Sequence, residues 1–145
     1  MTQATAITIE HYFNAAPSVV WRAWTEPDIV RRWWGSDPDG EVISAVLDVR
    51  AGGRFAITFR DSSGDQHTSS GEYLHVEANT ELDFTWSWQS EPNNPSRVNV
   101  HFTEQMAGTH MRFVHGELRG MSQHDYAQGW RRTFAKLDGV LAKAR

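Results

Sequence analysis

The chain has 145 residues, of which 39% are hydrophobic and 22% charged, and its formal net charge is −4. The length and composition predict a single globular domain over residues 1–145. The negative net charge argues against nucleic acid as a partner. Its lack of cysteine excludes disulfides, thiolate metal sites and cysteine nucleophiles, and fits the reducing cytoplasm in which we expect the protein to reside. No stretch approaches the roughly 20 apolar residues of a membrane-spanning helix, and the N-terminus lacks the pattern of a signal peptide, so we expect no membrane insertion.

The first quarter of the chain predicts one strand followed by two short helices. Residues 7–13 alternate between apolar and polar side chains, as the two faces of a strand require. Pro17 opens a short helix, because proline is tolerated in the first turn. Residues 25–28 interrupt that helix, and residues 29–34 form a second helical segment that Gly35 ends.

Six further strands follow, separated by turn residues. They are predicted at residues 43–49, 54–60, 71–76, 82–89, 98–102 and 111–115. The strand at 71–76 alternates less regularly than the others, which predicts a β-bulge there. Consecutive strands joined by turns predict an antiparallel meander with one apolar face and one solvated face.

A long C-terminal helix covers the apolar face of the predicted sheet. Ser122 is the predicted N-cap and Asp125 a first-turn acid. The helix carries an apolar stripe at spacings of three and four, formed by Tyr126, Trp130, Phe134, Leu137 and Leu141. Gly129 lies on the flank of this stripe, where the missing side chain is expected to let the helix approach a neighbouring element closely. The predicted class is α+β, with a curved antiparallel sheet of about seven strands wrapped around this helix.

Six motifs occur in the order of one known superfamily. They are A-P-S-V-V-W-R-A-W-T-E-P at 16–27, W-W-G at 33–35, D-V-R-A-G-G at 48–53, G-E-Y at 71–73 with F-T-W at 84–86, His115 at the end of the last strand, and G-W at 129–130. The chain thereby resembles the START-like (SRPBCC, or helix-grip) superfamily. Within it, the chain is most similar to single-domain homologues of the activator of the 90-kDa heat-shock protein ATPase.

The resemblance implies the helix-grip fold, with the first and last strands as neighbours and a cavity between the sheet and the C-terminal helix. The superfamily includes lipid carriers, polyketide cyclases and hormone receptors, so the fold does not identify a ligand. The chaperone activators of eukaryotes carry an additional N-terminal domain, which makes a chaperone a doubtful partner for this chain.

The predicted partner is an apolar or aromatic small molecule, enclosed by large side chains that project between sheet and helix. The candidate ligand-binding residues are Trp34, Phe55, Phe59, Tyr73, Trp86, Trp88, Phe113, His115, Tyr126 and Trp130. Either these rings fill the interior or they line a hole in it. In the alternation of their strands, His11 and His115 both occupy positions of the apolar face, and the resemblance makes these strands neighbours. Each is either a buried histidine that is hydrogen-bonded to a neighbouring protein group or a polar anchor for a ligand.

Two other kinds of function stay open on the residues alone. A cyclase- or hydrolase-like enzyme would use a cavity histidine as acid or base, but Ser44, Ser69, Ser70 and Ser87 lie in no nucleophile elbow and no catalytic residue is assigned. A chaperone-interaction or homodimerisation module would expose tryptophans, with Trp34 as the candidate patch. The 7 histidines have no metal-ligand spacing, so we expect neither a metal nor a cofactor.

Overall fold

The computed structural model describes residues 5–35, 37, 39–91, 95–118 and 126–143. In chain order, its elements are β1 (Thr5–Phe13), α1 (Pro17–Thr25), α2 (Pro27–Val30), β2 (Glu41–Leu47), β3 (Arg54–Arg60), β4 (Gln66–Glu77), β5 (Glu81–Trp88), β6 (Ser96–Gln105), β7 (Gly108–Leu118) and α3 (Tyr126–Lys143). The predicted order of one strand, two short helices, six strands and a long helix is confirmed.

The seven strands form one curved antiparallel sheet in the order β1-β7-β6-β5-β4-β3-β2. The first strand therefore pairs with the last, as the helix-grip resemblance implies. The register shifts within three of the strand pairs, and each such irregularity bends a strand. One of these shifts lies between Tyr73 and His75, so the bulge predicted in this strand is confirmed.

Several predicted boundaries are wrong, most clearly those of the second short helix and of the strand predicted at residues 71–76. The second short helix begins at Pro27 and ends at Val30, because proline occupies the first helical turn, where its missing N–H is not needed. The backbone N–H groups of Trp33 and Trp34 both bond back to the carbonyl of Val30, so this segment is a turn. Strand β4 begins at Gln66, five residues before the predicted start. The prediction missed these residues because the inward positions among them carry no apolar alternation.

Helix α3 buries the predicted apolar stripe against the sheet. Its buried residues are Tyr126, Trp130, Thr133, Phe134, Leu137 and Leu141. The predicted N-cap Ser122 and first-turn Asp125 lie outside the described residues. No helix in the described ranges is long and apolar enough to cross a membrane.

The two glycines of α3 provide a matched pair for testing the close-approach hypothesis. A Cβ at Gly139 would meet no atom of the described residues within 4 Å, so Gly139→Ala is expected to raise the free energy of unfolding by about 1 kcal/mol through helix propensity alone. We expect Gly129→Ala to lower it, because Gly129 is half-buried between the buried Tyr126 and Trp130. Thermal unfolding of the two variants measures the difference, and an equal rise in Tm for both would refute the close approach at Gly129.

Candidate functional site

The structure places nine of the ten candidate ligand-binding residues in the core and leaves Trp88 half-buried. They separate into three regions. Trp86, Phe113, Tyr126 and Trp130 surround His115 with ring centroids 5.1–6.4 Å from the imidazole. Trp34, Phe55 and Tyr73 lie instead along a small cavity further towards β2 and β3. Phe59 and Trp88 pack against each other and His67, at 5.2–6.2 Å.

His115 belongs to a hydrogen-bonded chain that crosses four structural elements. The indole Nε1–H of Trp130 donates to Nδ1 of His115 at 3.0 Å, and Nε2 of His115 lies 2.7 Å from Oγ of Ser96. The hydroxyl of Ser96 in turn donates to the backbone carbonyl of Trp86 at 2.9 Å. Because an indole nitrogen can only donate, Nδ1 must be unprotonated and Nε2 must carry the imidazole proton. Both nitrogens of His115 thus have protein partners.

This tautomer is the reverse of the one a serine nucleophile needs. In a Ser-His-acid triad, Nε2 accepts the serine proton while Nδ1–H donates to a carboxylate. Here Nε2 already carries a proton and Nδ1 accepts from Trp130, so His115 cannot take a proton from Ser96 in this arrangement. Burial lowers the pKa of His115 from 6.5 to about 3, which also removes it from the range of a general base near neutral pH.

A small cavity lies between the inner face of the sheet and the α1–α2 segment. Its volume is about 10 Å³, roughly the room that one water molecule takes. The lining residues are Trp24, Trp34, Leu47, Phe55, Ile57, Tyr73, Leu82 and Phe84. The sequence predictions included only three of these, and they placed the cavity under the C-terminal helix. The lining comes from α1, β2, β3, β4, β5 and the turn after α2, and includes no residue of α3.

Three buried polar groups in the interior have no hydrogen-bond partner among the described residues. They are Nε1 of Trp24, Nε1 of Trp86 and Oγ of Ser69. Trp24 and Trp86 are each 4% exposed, and Ser69 is fully buried. Buried polar groups are regularly paired in folded proteins, so each of these three calls for a partner. Sequence reasoning missed Trp24 as a site residue, and it predicted Ser69 to be a solvated strand or loop serine, which is wrong because Ser69 is fully buried.

Trp34 lies in the core, so its predicted role as an exposed patch is wrong. It is 7% exposed and packs edge-to-face on Trp24 and Trp130, with centroids 6.3 and 5.6 Å away. None of the 7 tryptophans, all of which lie in the described ranges, is exposed. A homodimer or chaperone contact through exposed tryptophans therefore loses the surface it required.

The chain matches the family described as Activator of Hsp90 ATPase homolog 1-like protein over residues 14–142. It belongs to this family. The fold agrees with that of solved structures, including an AHSA1-like protein from Aeromonas hydrophila at 25% identity (97% of this chain and 94% of that one, TM-score 0.81). A protein from Nitrosomonas europaea is 19% identical (96% and 95%, TM-score 0.83), and a protein of unknown function from Staphylococcus aureus 21% identical (99% and 96%, TM-score 0.82). Among curated proteins, none matches the chain.

In this AHSA1-like chain, Lys136 of α3 forms hydrogen bonds to the backbone of the segment that follows Trp34. Its Nζ donates to the carbonyl oxygens of Gly35 at 3.0 Å and Asp37 at 3.1 Å. Burial lowers the pKa of Lys136 from its ordinary value. The two hydrogen bonds thereby connect α3 to the segment next to Trp34, which is one of the residues that line the cavity.

The other candidate anchor, His11, lies outside the cavity. Its Nε2 is 3.0 Å from both carboxylate oxygens of Asp138, and its side chain is 28% exposed. Because Asp138 is on α3, the pair joins the first strand to the C-terminal helix. His11 therefore has a protein partner at the surface and is not among the residues that line the cavity.

One cluster with metal-ligand chemistry was not predicted from the sequence. His75, Glu77 and Glu81 place their ligand atoms within 4.8 Å of one another on the β4–β5 hairpin. Nε2 of His75 lies 3.5 Å from the carboxylate of Glu77 and 3.4 Å from that of Glu81. These surface ion pairs account for the arrangement, and we assign no metal to it. That this AHSA1-like protein uses no metal or cofactor stays a prediction.

Proposed function

We propose that the protein binds a small, mainly apolar molecule in the interior, at the cavity between the sheet and the α1–α2 segment. The observation that carries this proposal is a cavity with five aromatic side chains among its eight lining residues, one of which, Trp24, has a buried N–H without a partner in the described part of the chain. Such a lining would bury an apolar molecule at about 25 cal/mol per Å², while the N–H would orient it.

Binding requires the cavity to enlarge, because its present volume fits about one water molecule. Leu47 is the lining residue that can move most easily. It is half-buried on β2, an edge strand that pairs only with β3. Displacing Leu47 outwards therefore disturbs no second strand partner, and we propose this edge as the place where the cavity opens.

Native mass spectrometry of the protein purified from its own host tests the proposal. We expect a co-purifying compound of low mass that extraction with organic solvent releases. Leu47→Phe is expected to abolish this species, since the larger ring would occupy the cavity. The matched control is Val46→Phe, which changes the adjacent residue of the same strand on the opposite, 63% exposed side and should leave the compound bound.

Two outcomes would count against the proposal. One is a wild-type protein that carries no compound and gains none from a host extract. The other is a Leu47→Phe variant that folds and retains the compound as well as Val46→Phe does. Far-ultraviolet circular dichroism of both variants establishes that each is folded before the comparison is made.

A further inference from the structure

We propose that the interior site takes an uncharged molecule that carries hydrogen-bond acceptors, such as ketone, ester or ether oxygens. This inference rests on the function proposed above and specifies the ligand's chemistry. It follows from two buried indole N–H groups, which can only donate, and from the lack of charged side chains along the cavity.

The unpartnered indoles of Trp24 and Trp86 define the first requirement. An indole nitrogen carries one N–H donor and has no acceptor capacity. Both nitrogens are buried and have no partner in the described residues. A ligand that offers only donors could satisfy neither of them, whereas a carbonyl or ether oxygen could satisfy either. The hydroxyl of Ser69 can also donate to such an oxygen.

Of the three groups, Trp24 lines the cavity itself, whereas Ser69 and Trp86 lie on the inner face of the sheet beside lining residues. Ser69 is the ladder partner of Ile57, a lining residue on β3, and faces the same side of the sheet. Trp86 follows the lining residue Phe84 by two positions on β5, so both side chains lie on the inner face.

The cavity walls exclude a charged ligand. None of the eight lining residues carries a charged side chain, so a buried ion would lack a counter-ion there. Burial, and secondarily the negative charge of Asp48, raises the pKa of Tyr73, so its phenol stays protonated. The field of Asp48 would repel an anion, and the outward-pointing hydrogens of indole N–H groups would repel a cation.

Three probes of similar shape separate these requirements: 1-acetonaphthone, its alkene isostere 1-isopropenylnaphthalene, and the anion of 1-naphthoic acid. Each is titrated into ¹⁵N-labelled protein, and the indole Nε1–H signals are followed by NMR, with Trp24→Phe and Trp86→Phe identifying two of the signals. We expect the ketone to bind about 3- to 10-fold more tightly than the alkene and to move the Trp24 or Trp86 signal downfield. The carboxylate is expected to bind more weakly than both.

The outcomes distinguish the two proposals. Equal affinity for ketone and alkene, or tighter binding of the carboxylate, overturns the acceptor requirement and leaves the binding function standing. If none of the three probes binds and the purified protein also carries no host compound, both proposals fall together.

Two serine variants test, in the absence of any ligand, whether the Ser69 hydroxyl lacks a hydrogen-bond partner. Ser96 is buried and its hydroxyl has two partners, so Ser96→Ala should lower the melting temperature by about 5 °C. Ser69 is buried without a partner in the described residues, so Ser69→Ala should leave the melting temperature unchanged or raise it. Equal losses in the two variants would mean that the Ser69 hydroxyl is already satisfied, and would overturn its assignment as a free donor.

Discussion

Lowering the pH from 6.5 to about 4.5 is expected to reduce the free energy of unfolding by about 2 kcal/mol in all, with a slope that approaches about 1.4 kcal/mol per pH unit. The cause is His115, whose pKa burial lowers from 6.5 to about 3. Between these values the unfolded chain binds a proton that the folded chain does not, so acidification favours the unfolded state. Above about pH 7.5 the imidazole is almost entirely neutral in both states, and this contribution no longer changes with pH.

Urea unfolding at a series of pH values measures the slope. His115→Gln removes the titrating group, so the free energy of unfolding should change less steeply with pH between about pH 6.5 and 4.5. This expectation holds even if the substitution lowers the free energy of unfolding at neutral pH. His101→Gln, at an exposed position of β6, should retain the wild-type slope. Hydrogen bonds lower the pKa of Asp37 and Asp61 below 3.8, so the stability that these carboxylates contribute is lost mainly below the window, as the pH falls through 3.8. A wild-type slope that survives in His115→Gln would contradict the assignment.

Replacing Gly71 by alanine is expected to destabilise the fold by about 3 kcal/mol, or to prevent folding. Gly71 lies on the inner face of β4, where a Cβ would overlap the backbone carbonyl of Thr85 and approach Cε1 of Phe55 to 2.9 Å. The carbonyl belongs to the neighbouring strand β5 and cannot move without disturbing the strand pairing. Thermal or urea unfolding measures the loss.

Gly116→Ala is the matched control in the same sheet. Within the described part of the chain, a Cβ at this position of β7 would meet the Cβ of Ala6 alone, at 3.8 Å, which is an ordinary contact. We therefore expect Gly116→Ala to change the free energy of unfolding by less than about 1 kcal/mol. Similar losses at the two positions would indicate that lost glycine flexibility, and not the overlap with Thr85, controls the effect.

The elements that were predicted correctly are those whose side-chain periodicity reports burial directly. Strand β3 alternates between buried and partly exposed residues along its length, and α3 buries its stripe at helical spacing. Strand β4 was predicted too short because its inward positions before Tyr73 hold His67, Ser69 and Gly71, which show no apolar alternation. Periodicity cannot reveal a strand whose inner face is small and polar.

The site was predicted less completely because its properties depend on contacts between distant segments. His115 was recognised as a candidate, but its tautomer follows from Trp130 on α3 and Ser96 on β6, and local sequence contains neither relation. The predicted cavity under α3 stays a prediction, and the small cavity that Trp24 of α1 and Leu47 of β2 help to line was not predicted. The aromatic composition predicted an interior rich in aromatic rings, but the position of this cavity depends on how the rings pack in three dimensions.

The pairing of β1 with β7 sets the order in which the protein can fold as it is synthesised. Neighbouring strands from β2 to β7 are close in the chain and can form hairpins as they emerge from the ribosome. Strand β1 emerges first but has its only sheet partner near residue 113, so it must wait for more than 100 residues. Closing so long a loop is entropically costly and slows folding. Until β7 has been synthesised, the N-terminal strand β1 therefore remains unpaired and accessible to chaperones and proteases.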